Sequence, residues 1–141
     1  MIEFSSQNDF VLEQSERVES WLKAAALKES YGIDSLGYVF CSDDFLLEIN
    51  QQFLDHDTLT DIVTFDYTEG TILNGEIYIS TDRVADNAKD FNVDFDTELR
   101  RVIIHGLLHM CGYGDKTDDE KSNMRKKEDE YLALWLSLIH I

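Results

Sequence analysis

The run Arg101-Val102-Ile103-Ile104-His105-Gly106-Leu107-Leu108-His109-Met110-Cys111-Gly112-Tyr113-Gly114-Asp115 sets two histidines inside an otherwise apolar segment. Its apolar flanks predict a helix buried around most of its circumference, and buried polar groups need partners. At about 100° per residue, positions four apart fall within about 40° of one another. His105 and His109 therefore share a face and can offer two imidazole nitrogens to one ion about 2 Å away. Gly112 is suited to end the helix in a left-handed turn, after which the chain can double back and bring Asp115 to the same ion. Three protein ligands with a fourth position left for water is the pattern of a catalytic metal site. Cys111, about 240° round the helix from His105, points away and reads as core. The alternative is a pair of core histidines hydrogen-bonded to neighbouring groups.

Working outward, the chain reads as one domain over residues 1–141. A short strand is expected at Ile2–Phe4. An amphipathic helix follows over Phe10–Glu29, burying Val11, Val18, Leu22, Ala25 and Ala26 and ending at Tyr31-Gly32. Leu36–Cys41 is a core strand, and Ser42 caps a helix running through Phe53. Ile62–Tyr67 and Gly75–Ser80 alternate as two strands joined by a turn-like loop with a glycine at each end. Helices are expected at about 81–91, 95–111 and 117–138. This β-α-β-α-β-β-α-α-α order predicts an α+β fold, a small mixed sheet of about four strands packed with helices.

Composition narrows the function classes. The formal net charge of −17 argues against nucleic-acid binding by bulk electrostatics. The charge is uneven: residues 1–80 hold three basic and sixteen acidic side chains, residues 81–141 nine and thirteen. Arg100, Arg101, Lys116, Lys121, Arg125, Lys126 and Lys127 flank the histidine helix, as a local positive surface or as ordinary solvated helix faces. Cys41 and Cys111 make no disulfide framework and suit a reducing compartment. With no secretory layout and no apolar run of about 18 residues, a cytoplasmic location is expected.

The spacing also matches the zinc-protease pattern H-E-x-x-H-x-x-G-x-x-H, with Asp115 as third ligand. Gly106 occupies the position of the glutamate that serves those enzymes as general base, which argues against peptide hydrolysis. Together with Thr60-Asp61-Ile62-Val63-Thr64-Phe65 and Gly75-Glu76-Ile77-Tyr78-Ile79-Ser80, the histidine run resembles the bacterial YbeY family of rRNA maturation endoribonucleases. The likeness spans roughly residues 36 to 135, with Met124 and Glu128 where that family commonly has a methionine and a glutamate. It implies a zincin-like metal-binding helix and one divalent ion, zinc or another transition ion, held by His105, His109 and Asp115. It also implies single-stranded RNA as substrate, above all precursor small-subunit rRNA near its 3′ end, and a link to ribosome quality control. The expected partners are that RNA and the small ribosomal subunit or its associated proteins, with no DNA and no membrane. Two positions depart from the family pattern. Asp115 replaces a histidine, and Leu54 replaces an arginine, for which His56 or Arg83 are candidate substitutes.

In the expected mechanism the ion supplies hydroxide and polarises the phosphate. Asp61 and Glu76 are candidates for orienting water or substrate, against a capping or solvated role. Thr64, Asp66, Tyr78 and Ser80 are candidates for a groove floor facing a nucleotide chain. Two other readings stay open: a non-catalytic ribosome-assembly factor stabilised by its metal, and a metal hydrolase of another substrate.

Overall fold

The computed structural model describes residues 1–54 and 60–138. Five helices and four strands alternate as β1 (Ile2–Ser6), α1 (Ser15–Lys28), β2 (Gly32–Cys41), α2 (Asp43–Leu54), β3 (Ile62–Asp66), β4 (Ile72–Ser80), α3 (Thr81–Asp90), α4 (Phe95–Met110) and α5 (Asp118–Leu138). The strands form one mixed sheet in the order β1-β2-β4-β3. The β1/β2 and β2/β4 pairs are parallel, and β3 joins β4 antiparallel at the edge. The expected α+β class and element order are both found.

Each sheet face has its own core. Leu36, Tyr38, Phe40, Ile77 and Ile79 face the main core, where Trp21 and Leu22 of α1, Ile103 and Leu107 of α4, and Tyr131 and Trp135 of α5 are buried. The opposite face carries a smaller cluster of Cys41, Leu46, Ile49 and Val63 beneath α2. Caps set the helix boundaries in this proline-free chain. Ser42 Oγ accepts from Phe45 N at 3.2 Å, as expected, and Asp94 Oδ1 accepts from Thr97 N at 2.8 Å to open α4.

Three expectations fail. The first helix begins at Ser15, not Phe10, and Val11 is exposed, because Gln14 adopts a left-handed conformation (φ 55°) that interrupts the apolar period. That helix ends through Ser30 (φ 66°), not through Gly32, which already belongs to β2. The proposed groove floor does not exist as one surface. In the β3/β4 register Val63 lies opposite Tyr78 and Thr64 opposite Ile77, so Thr64 and Asp66 face α4 while Tyr78 and Ser80 face α2. Ser80 is fully buried, and its hydroxyl donates to Asp43 Oδ1 at 2.6 Å.

Candidate active site

Helix α4 lies close enough to the sheet that a glycine at its crossing point relieves a tight contact. A Cβ on Gly106 would stand 3.0 Å from Ile77 Cδ1 and 3.1 Å from Ile62 Cδ1. A larger side chain there would crowd Ile77 and Ile62, so packing as well as chemistry disfavours the protease glutamate at this position. With Gly106 facing inward, His105 projects from the other side of the helix into a cleft of about 430 Å³. Residues of the β3 entrance (Thr60, Asp61, Ile62), α3 (Asn87), α4 (Glu98, Arg101) and α5 (Met124, Arg125, Glu128) line it together with Asp115 and Lys121.

The end of α4 bends the chain back as the glycine predicts. Gly112 has φ 99°, Gly112 N donates to His109 O at 3.0 Å, and Tyr113 N donates to Leu108 O at 3.1 Å, the paired bonds of a Schellman motif. Just beyond, Thr117 and Glu120 form a capping box that opens α5: Thr117 N donates to Glu120 Oε1 and Glu120 N to Thr117 Oγ1. Tyr113 is tied down from behind, its hydroxyl donating to Glu29 Oε1 at 2.7 Å. Glu29 also accepts from the Tyr131 hydroxyl and from Lys127 Nζ at 3.3 Å. Burial raises the Glu29 carboxyl, but these three donors outweigh it and hold it below the ordinary glutamate range. The short connection carrying Asp115 is therefore clamped at both ends.

That connection places Asp115 Oδ2 3.6 Å from His105 Nε2. On the far side of the ring, His105 Nδ1–H donates to Glu128 Oε2 at 2.8 Å, and Glu128 Oε1 accepts from Arg101 Nη1 at 2.9 Å. Burial lowers the His105 value, yet Glu128, then Asp115 and Asp61, reverse this and leave the imidazole above its ordinary value. A carboxylate on Nδ1 that directs Nε2 outward is the usual support for a metal-ligating histidine. Two donors on one ion, each about 2.0–2.2 Å from it, stand at most about 4 Å apart, so the His105–Asp115 spacing is compatible with a shared cation. His109 is exposed one turn along and does not line the cleft. Among the described residues no three His, Cys, Asp or Glu groups are closed around one point, so His109 joins the other two only if its ring turns inward.

The remaining expectations divide. Asp61 lines the cleft; burial raises its carboxyl, with His105 opposing, and Oδ2 accepts from Asn87 Nδ2 at 3.4 Å. Glu76 does not reach the site. It accepts from its strand neighbour Tyr78 at 3.0 Å on the opposite sheet face, because even positions of β4 point away from α4. Arg83 cannot stand in for the missing arginine, being held by Asp43 at 3.1 Å and by Asp86. His56 and the side chain of Leu54 lie outside the described residues. Cys111 is half-buried against the core and its thiol is pushed up to about 12 by burial. Of the flanking basic residues, Arg101, Lys121 and Arg125 line the cleft, while Lys127 is engaged by Glu29 and Glu130.

Two residues acquire roles only in three dimensions. Glu128 falls in the buried stripe Met124-Glu128-Tyr131-Trp135 of α5, and an acid in an apolar stripe is the signal that could have exposed it. Glu98 precedes His105 by seven residues, about 20° apart on the helix, so both face the cleft.

Comparison with known proteins places nearly the whole chain in one family. The family model described as Endoribonuclease YbeY matches residues 2–135. The chain is 47% identical over 135 residues to Endoribonuclease YbeY of Flavobacterium johnsoniae, covering 96% of this chain and 97% of that protein. It is 49% identical over 134 residues to Endoribonuclease YbeY of Christiangramia forsetii, covering 95% and 94%. The solution structure of TM1509 from Thermotoga maritima superposes with a TM-score of 0.69 at 29% identity, covering 99% of this chain and 92% of that one. With the family model spanning nearly its whole length, the chain belongs to the YbeY endoribonuclease family.

Proposed function

We propose that the protein hydrolyses phosphodiester bonds of single-stranded RNA at the His105 cleft, with precursor small-subunit rRNA as substrate and ribosome quality control as its setting. The observation that carries this reading is His105, fixed through Nδ1 by the buried Glu128 and facing Asp115 across 3.6 Å. His105, Asp115 and His109 would hold one divalent ion, zinc or another transition ion. Such an ion supplies Lewis acidity toward a phosphoryl oxygen and a water molecule. The carboxylate at Asp115 is a harder ligand than imidazole and widens the choice of metal.

The chain's own residues do the rest. Lys121 and Arg125 bring positive charge to the cleft wall, where a phosphate would otherwise meet only the acidic surface implied by a net charge of −17. Arg101 holds Glu128, and Glu128 holds the imidazole in one tautomer. Asp61, whose carboxyl burial holds above its ordinary value, can take a proton from the attacking water. Elemental analysis of the purified protein, paired with RNA cleavage by wild type and His105→Ala, tests the reading. A His105→Ala protein that keeps both its metal and its cleavage rate overturns it. Matched metal content without cleavage by the wild type would instead favour a ribosome-assembly factor.

A further inference from the structure

Glu98 and Glu128 are equally buried acids, each 5% exposed, on facing walls of one cleft. Glu128 is satisfied by Arg101 and His105. The Glu98 carboxylate has no hydrogen-bond or ion-pair partner among the described residues, with Arg101 and Arg125 acting on it only at a distance and Asp61 and Glu128 repelling it. Among the described residues the side-chain atoms sealed from solvent without a partner are Arg17 Nε and Arg100 Nε, so the Glu98 oxygens open onto the cleft and keep their acceptor positions free for a ligand. Seven residues along α4 place Glu98 about 10 Å from His105, beyond the reacting centre but in the same groove. Around it stand Asp61, the Asn87 amide and, at the lip, the half-exposed ring of Phe91.

We propose that this end of the cleft is a base-recognition subsite for guanine, read by Glu98 and stacked against Phe91. The inference rests on the reading of the cleft as an RNA site and adds to it a sequence preference beside the scissile bond. An ionised carboxylate only accepts hydrogen bonds, and it accepts best from two parallel donors. The guanine edge presents N1–H and the N2 amino group side by side. Adenine and cytosine present one amino group each, and uracil presents one N–H between two oxygens that repel a carboxylate. Single-stranded RNA exposes these edges, and unstacked bases settle on aromatic rings. The cleft as a whole, about 430 Å³ with the His105 end included, is large enough to admit a base.

The test is an NMR titration of the full-length protein with guanosine, adenosine, cytidine and uridine, which carry no phosphate. Guanosine should bind about tenfold tighter than the other three and shift the amides of Asn87, Phe91 and Glu98. Glu98→Gln should abolish that preference while the protein still melts cooperatively. Phe91→Ala, at an exposed position, should weaken guanosine about tenfold. Equal binding of all four nucleosides, or a guanosine preference unchanged in a folded Glu98→Gln protein, overturns the subsite. If Glu98→Gln fails to fold, the wild-type and Phe91→Ala titrations decide. RNA cleavage mapped in parallel separates the two readings. Cleavage indifferent to base sinks the subsite alone, and guanosine binding by a protein that cleaves nothing sinks the hydrolytic reading alone.

Discussion

The two ends of the cleft treat buried charge in opposite ways. At the His105 end, Glu128 is bonded on both oxygens, Asp115 faces Nε2, and Glu29 locks the loop behind Tyr113. At the Asp61 end, Glu98 is buried to the same degree with no bonding partner for its carboxylate among the described residues, and burial raises both the Glu98 and the Asp61 carboxyl. A fully bonded network holds one geometry, whereas an unsatisfied group stores the capacity to bind. One end is organised in advance for a fixed task, and the other keeps its bonds for a ligand.

The contrast can be broken most directly at Asp115. Asp115→Ala removes a half-exposed side chain, so the fold should persist by circular dichroism while RNA cleavage falls to background. Glu128→Ala comes next. It leaves Arg101 and His105 without their buried partner and should lose about 3 kcal/mol in urea unfolding. Glu128→Gln keeps the shape and should instead weaken metal affinity by about 10- to 100-fold, read by competition with a chelating dye.

Glu98→Gln should move stability the other way. Removing a charge that burial and the nearby Asp61 and Glu128 disfavour should add about 1 kcal/mol at neutral pH, or about 4 °C of melting temperature. A clear loss instead would show that Glu98 is structurally satisfied and that the two ends do not differ.

The finest distinction is in pH dependence. The folded Glu29 carboxyl is lowered, so its stabilisation is present above the unfolded value and disappears as pH falls through the folded one. Glu98 is raised, so its unfavourable contribution is present above the folded value and disappears on acidification. Melting temperatures across the acidic range should therefore fall less steeply in Glu29→Gln and more steeply in Glu98→Gln than in wild type.

Much of the site was legible in one dimension because it obeys local rules. The place of His105 on its helix and the glycine at 112 are matters of helix period and backbone conformation, and Asp115 follows within a few residues, whereas His109, at the same helical spacing, stands outside the cleft. The strands at β3 and β4 announced themselves by alternation, yet alternation cannot say which face meets which helix. Glu76, a candidate for orienting water, and Tyr78 and Ser80, candidates for the groove floor, lie on the sheet face away from α4. Arg83 likewise looked available until the fold set it beside Asp43.

The sequence by itself determined the element order, the apolar helix carrying His105, and the turn that returns Asp115, because each depends on residues within a few positions of one another. Only the tertiary structure decided that Glu128 of α5 would grip His105, that Glu29 would hold Tyr113 from 84 residues away, and that Glu98 would line the cleft with no bonding partner among the described residues. Those outcomes depend on which surfaces pack together, and the charge of a carboxylate says nothing of its depth until the helices around it have closed.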